Sequence, residues 1–198
     1  MLQSHQLDAE KVQFFEACEP LDAGKWPSIG AKGCFESHLN VLKKADQTNA
    51  DAVLILEDDA LFDNDWNTEF PKLLLRIQNE DFVYVGHQLP PLGGELRIIP
   101  RGDESLNTHC YIVKKRVLKP LIAFLEEVKE REEGDPLGGP QHYDGAIKTF
   151  FDQNINFHSG RASKSLCSQY SNISDVTPSW IDRFPFRFFT NFYRKFLK

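Results

Sequence analysis

The chain has 198 residues, 41% hydrophobic and 26% charged, which fits one soluble globular domain with a sizeable core. Its net charge of −6 argues against general nucleic-acid binding, and no apolar run approaches the ~20 residues that span a bilayer. No basic segment followed by an apolar stretch opens the chain, so no signal peptide is visible, and the widely spaced Cys18, Cys34, Cys110 and Cys167 read as reduced thiols of a cytoplasmic protein.

Residues 7–17 are predicted as a short helix and residues 30–46 as a longer one. In the second, Phe35, Leu39 and Leu42 share a face, with His38, Val41 and Ala45 beside them. A strand follows at 52–56. Asn67-Thr68 can cap a helix running to about Gln78, with Pro71 tolerated in its first turns. Phe82–Gly86 is the next strand, and Gln88–Gly94 is a turn-rich loop beside the site. Leu96–Ile99 and Cys110–Val113 read as strands. Leu118–Arg131 reads as a helix with a charged, solvated end: Glu126–Asp135 carries six acids against two bases. Gly134–Pro140 is a second loop, and Gln141–Phe151 is another helix. Strands alternating with helices predict an α/β sandwich in one domain.

Residues 53–59 carry the strongest chemical signal: Val-Leu-Ile-Leu followed at once by Glu57-Asp58-Asp59. The apolar run predicts a buried strand. Three successive carboxylates at its end repel one another and lose hydration. A divalent cation offsets both costs, and hard oxygen ligands suit Mg²⁺ or Mn²⁺. Ligands of open α/β sheets bind beyond the carboxyl ends of strands, so the placement suggests a metal-assisted site for a phosphorylated ligand. The alternative is a solvated turn whose acids cap the next element.

Residues 183–198, RFPFRFFTNFYRKFLK, hold five bases, no acid, six Phe and one Tyr. Such a tail can lie on an anionic membrane surface, rings in the interface and Arg/Lys at the headgroups. The other reading is a C-terminal helix packing its rings on the core. Asn172-Ile-Ser174 is a formal glycosylation sequon, read as chance.

Gly30-Ala-Lys-Gly33-Cys34-Phe35-Glu36-Ser37-His38-Leu39 precedes the acidic strand by one helix. Together with Leu56-Glu57-Asp58-Asp59 it resembles glycosyltransferase family 25, in which a Gly-Cys-x-x-Ser-His helix is followed by Leu-Glu-Asp-Asp. Phe14–Ala17, Thr108–Val113, His142-Tyr143-Asp144 and the Gln169 to Ser174-Asp175 stretch are similar to further family elements, so the likeness runs from about residue 12 to 176. Family members usually open with a strand and an Asn-Leu-x-Arg-Arg turn that helps to hold the nucleotide. Met1 stands after that element, so either the start is truncated or the first strand is lacking.

The resemblance implies an α/β, GT-A-like (Rossmann-like) α/β/α sandwich over residues 1–182, followed by the basic aromatic tail. It implies an inverting transfer of galactose or glucose from UDP-galactose or UDP-glucose to a lipopolysaccharide-type glycan, dependent on Mn²⁺ or Mg²⁺. Asp59 is the expected direct metal ligand, and Glu57 and Asp58 would contact the ribose or metal-bound waters. Direct displacement needs a base for the acceptor hydroxyl; Asp144 is the candidate, against the alternative of a helix-start acid stabilised by the macrodipole. His38 reads as a hydrogen-bonded core histidine supporting the acidic strand. Ser37 either reaches the donor or bonds back to its own helix. His109 and His158 both sit at strand-like positions, and the metal set is read as Asp59, Glu57 and His158. Arg97, Arg101 and Lys114 could pair with the diphosphate, but nothing fixes them there. The expected location is cytoplasmic, with peripheral contact on the inner membrane face through residues 183–198.

Two other functions compete with this one. A catalytically inactive relative would bind glycan or a partner protein. A Mg²⁺-dependent phosphohydrolase would also use carboxylates after a strand, but no nucleophilic Asp with a phosphate-binding loop can be placed.

Overall fold

The computed structural model describes residues 9–102 and 106–170. The basic aromatic tail, the 182/183 boundary, the Asn172 sequon and Ser174-Asp175 lie outside the described residues. In chain order the elements are α1 (Ile29–Asp46), β1 (Ala52–Leu56), β2 (Ala60–Phe62), α2 (Trp66–Arg76), β3 (Phe82–Tyr84), β4 (Ile98–Pro100), β5 (Cys110–Lys114), α3 (Lys115–Glu130), α4 (Tyr143–Gln153), β6 (Ser159–Ala162) and β7 (Cys167–Gln169).

The strands form a five-stranded sheet of order β1-β5-β3-β6-β4 and a separate β2-β7 ribbon. Side chains alternate across the sheet, as the two-residue period requires. Phe82, Tyr84, Tyr111 and Val113 point to one face and meet α1, α3 and α4 through Phe35, Leu39, Leu121, Leu125 and Ile147. Val83, Val85, Cys110 and Ile112 point to the other and meet Trp66, Phe70 and Leu73 of α2. The α/β sandwich expected from the sequence is therefore present. Its sheet is mixed, however: the β3–β6 pair is parallel, while β1–β5, β5–β3 and β4–β6 are antiparallel.

Helix α1 forms where the apolar period predicted it. Ser28 caps it, its Oγ accepting the Ala31 N–H at 3.0 Å, and Phe35, Leu39 and Leu42 are fully buried. Each such side chain contributes roughly 1.5–3 kcal/mol by leaving water. Helix α2 starts before the expected Asn67-Thr68 cap: its N-cap is Asp65, whose carbonyl accepts the Thr68 hydroxyl at 3.0 Å.

Four expectations are corrected. Of the expected helix at 7–17, the described residues 9–17 form only a 3-10 turn at Ala9–Lys11; Phe14 there is exposed, so no apolar face is buried to stabilise a longer helix. Strand β1 is not fully buried. Its pairing is with β5, and only Ile55 is buried while Val53, Leu54 and Leu56 are partly covered. Strands β2, β6 and β7 had no counterpart in the predicted elements. The strand predicted at Leu96–Ile99 is shifted to Ile98–Pro100.

Candidate active site

The chain reverses as soon as β1 ends. The Glu57 N–H donates to the His109 carbonyl at 2.9 Å, extending the ladder with β5 by one residue, and the Ala60 N–H donates to the Glu57 carbonyl at 3.2 Å. This turn leaves Asp58 exposed and Asp59 half-buried. Ribbon β2–β7 holds the turn: Ala60 pairs with Gln169, and the Tyr170 N–H donates to the Asp59 carbonyl at 2.8 Å. Because β1 and β3 both run antiparallel to β5, their carboxyl ends and the start of β5 share one edge of the sheet.

Asp59 is the strained member of the acidic run. Burial holds its carboxyl above the usual carboxylate range, as do Glu57 and Asp58, while a hydrogen bond from Gln169 and the nearby His109 act the other way. Its Oδ1 is buried with no hydrogen-bond partner. The Gln169 side-chain amide also donates to Glu57 Oε2 at 3.4 Å, so one glutamine serves both acids. A buried, unsatisfied carboxylate oxygen among like charges is an arrangement that a hard divalent cation would complete; the residues fit such an ion.

Helix α1 supports the same strand end from one side. His38 Nε2 lies 3.1 Å from Glu57 Oε1, and Nδ1 lies 3.0 Å from the Tyr111 hydroxyl. A carboxylate only accepts, so Nε2–H donates to Glu57. With a neutral ring, Nδ1 then accepts from Tyr111, and Tyr143 donates to Tyr111 across 3.0 Å. The Tyr143 ring stacks on His38 at 4.2 Å. Tyr143 opens α4, so this stack carries the helix start, and Asp144 with it, to the acidic turn. The thiol of Cys34 senses the result: burial, then Glu57, Asp144 and Asp59, push it up to about 12. Carboxylates from two distant stretches of sequence thus act on one thiol. The Gly145 N–H donates to Asp144 Oδ1 at 2.8 Å.

Not every predicted residue arrives there. His158 lies just before β6, which runs parallel to β3, so it stands at the opposite end of the sheet from Glu57. It is exposed and its backbone N–H donates to Asp81 Oδ2 at 2.9 Å, so the fold does not place it in the metal set. His109 is the histidine at the acidic end. It is buried, with Nε2 bonded to the Cys167 carbonyl at 3.1 Å.

Ser37 uses its hydroxyl inside the fold: Oγ donates to the Gly33 carbonyl at 2.7 Å and accepts the Cys18 N–H at 2.8 Å. Of its two readings, bonding back to the helix is the one observed. Gly33 is needed at the same crossing, since a Cβ there would meet the Cys18 carbonyl oxygen at 2.7 Å. Lys114 donates to the Gln78 carbonyl, Arg101 pairs with Asp152 at 2.6 Å, and Arg97 donates to the Gly93 carbonyl.

Residues 2–92 match the family model described as Glycosyltransferase family 25 (LPS biosynthesis protein). The match covers 91 of the 198 residues, and over them the chain is similar to that family. The match includes the Gly33–His38 helix motif and the whole acidic turn, the two elements that carried the resemblance in the sequence. It supports glycosyltransferase activity in lipopolysaccharide-type biosynthesis. Asp144 and Gln169 fall outside the matched residues; Gln169 reaches the acidic turn through its bond to Glu57, and the helix start at Asp144 through the stack of Tyr143 on His38. Gln169 was noticed in the sequence only as part of a closing element, and its bridging of Glu57 and Asp59 became visible when β7 paired with β2. Among the described residues, no helix is long and apolar enough to cross a membrane.

Proposed function

We propose that the protein is an inverting, metal-dependent hexosyltransferase of GT-A type. It moves galactose or glucose from a UDP-sugar to a lipopolysaccharide-type glycan. The observation that carries this reading is the acidic turn itself: Glu57 is held by His38 and Gln169, beside an Asp59 whose buried oxygen is left unsatisfied.

Asp59 and Glu57 would hold Mn²⁺ or Mg²⁺, which supplies neutralisation of the charge that develops on a diphosphate leaving group. The chain's own residues do the rest. Gln169 and His38 each bond one oxygen of Glu57, which fixes its carboxylate plane before the donor arrives. Exposed Asp58 is free to face the ribose or ordered water. Asp144 takes the proton of the acceptor hydroxyl as that oxygen bonds to the anomeric carbon; the bond to the β-phosphate oxygen breaks, and UDP leaves with its electron pair. One displacement of this kind inverts the anomeric centre. The aromatic tail would hold the enzyme at the membrane face where such acceptors are assembled.

The test follows UDP release from UDP-galactose and UDP-glucose with Mn²⁺ and a truncated lipopolysaccharide acceptor. Acceptor-stimulated release that Asp144→Asn lowers supports the proposal. No release above background with either donor would point to a glycan- or protein-binding relative.

A further inference from the structure

A second set of ligating atoms lies beside the acidic turn and includes sulfur. Cys34 and His38 are one helical turn apart on α1 and so face the same way. Each places a ligand atom within 4.8 Å of the other and of a Glu57 carboxylate oxygen. We propose that Cys34, His38 and Glu57 form a second metal site, selective for a soft divalent cation such as Zn²⁺, whose occupation withdraws Glu57 from the donor site.

The donor set decides the ion. Thiolate, imidazole and carboxylate together suit zinc, whereas Mg²⁺ and Mn²⁺ favour all-oxygen shells. Tetrahedral zinc holds such atoms roughly 3.3–3.8 Å apart, from its usual bond lengths. Side-chain rotation of Cys34 and Glu57 closes the remaining gap, because His38 Nε2 and Glu57 Oε1 already stand 3.1 Å apart.

The surroundings of His38 also suit a ligand. Metal-bound histidines bond their second nitrogen to a fixed partner, and here Nδ1 meets the Tyr111 hydroxyl at 3.0 Å. A hydroxyl accepts as readily as it donates, so the ring proton can reside on Nδ1 and leave the Nε2 lone pair to the metal. The thiol proton of Cys34 goes to solvent on loading. The inhibitory part of the proposal rests on the donor-site reading of Glu57; the metal site itself does not.

The experiment titrates metal-free full-length protein with Zn²⁺ and with Co²⁺, recording the thiolate-to-cobalt charge-transfer absorption. Wild type should bind one equivalent and show the band. Cys34→Ala should lose the band and weaken Zn²⁺ binding on the order of 100-fold or more, with circular dichroism confirming its fold. Cys18→Ala and Asp59→Ala should keep the band. A missing band in wild type, or one that survives Cys34→Ala, overturns the site. In wild type, Zn²⁺ should also suppress Mn²⁺-dependent donor binding, and Cys34→Ala should relieve that suppression. Zinc bound through Cys34 without effect on donor binding would overturn the inhibitory part alone. Loss of donor binding in Asp59→Ala with the cobalt band intact would show that the cysteine site holds its ion without a working donor site.

Discussion

His38 Nε2 lies 3.1 Å from Glu57 Oε1, and this contact ties the central helix to the acidic end of β1. The ring is buried, held by Tyr111 at its other nitrogen and stacked on Tyr143. One side chain therefore sets the position of Glu57 and, through the stack, of the helix that carries Asp144.

His38→Ala should accordingly cost both stability and function. It leaves the Tyr111 hydroxyl and a Glu57 oxygen without their partner and opens a gap under Tyr143. The expected loss is on the order of 1–3 kcal/mol by urea denaturation, with donor affinity falling in the same variant. Full donor affinity in a folded His38→Ala protein would show that Glu57 needs no such support.

Asp144→Asn keeps the size of the side chain but removes its basicity. Transfer rate should fall by roughly 10²–10⁴-fold, the usual contribution of a general base, while the KM for donor stays close to wild type. Steady-state kinetics with donor and acceptor varied in turn would check this. An unchanged transfer rate would return Asp144 to the role of a helix-start acid.

Asp81 anchors the far end of the sheet. Burial pushes its carboxyl up, but hydrogen bonds from Arg116 and the His158 N–H, with the charges of Arg116 and Lys114, leave it below the usual carboxylate range. A carboxyl depressed in the folded state stabilises the protein above its unfolded pKa, and that stability is lost as pH falls through the folded value. Asp81→Asn should thus lose on the order of 1–3 kcal/mol at pH 7. The difference from wild type should shrink below pH ~4, as measured by urea unfolding at both pH values.

Gly33→Ala sets two effects against each other. Alanine gains about 1 kcal/mol of helix propensity. Its methyl group, however, would stand 2.7 Å from the Cys18 carbonyl oxygen and 3.2 Å from Pro20 Cδ, and such overpacking costs about 1–3 kcal/mol. The net expectation is a modest loss of stability with the 18–20 segment displaced. Faster labelling of the Cys18 thiol would report that displacement.

The parts of the fold that were legible in the sequence are those whose pattern is local. Phe35, Leu39 and Leu42 announce α1 by their spacing, and the apolar run before Glu57 announces β1. Strand β6 is Ser-Gly-Arg-Ala, which carries no strand signal; its conformation is imposed by pairing with β3 and β4 on either side. The helix expected at 7–17 is missing from the described residues 9–17 for the opposite reason, since Phe14 and Phe15 stay exposed there. At the site, Glu57 and Asp59 were readable because carboxylates after a strand are chemically conspicuous. The choice between His109 and His158 was not readable, since both precede strands and only strand direction separates them. Gln169 is a polar residue whose role depends wholly on the β2–β7 register.

The central claim is that the acidic turn binds a nucleotide sugar through a divalent cation. Its most direct test is calorimetric titration of UDP-galactose and UDP-glucose into wild type and Asp59→Ala, with and without Mn²⁺. Binding by wild type that requires Mn²⁺ and is lost in Asp59→Ala is the predicted result. Donor binding that is indifferent to both the cation and Asp59, or absent under every condition, would contradict it.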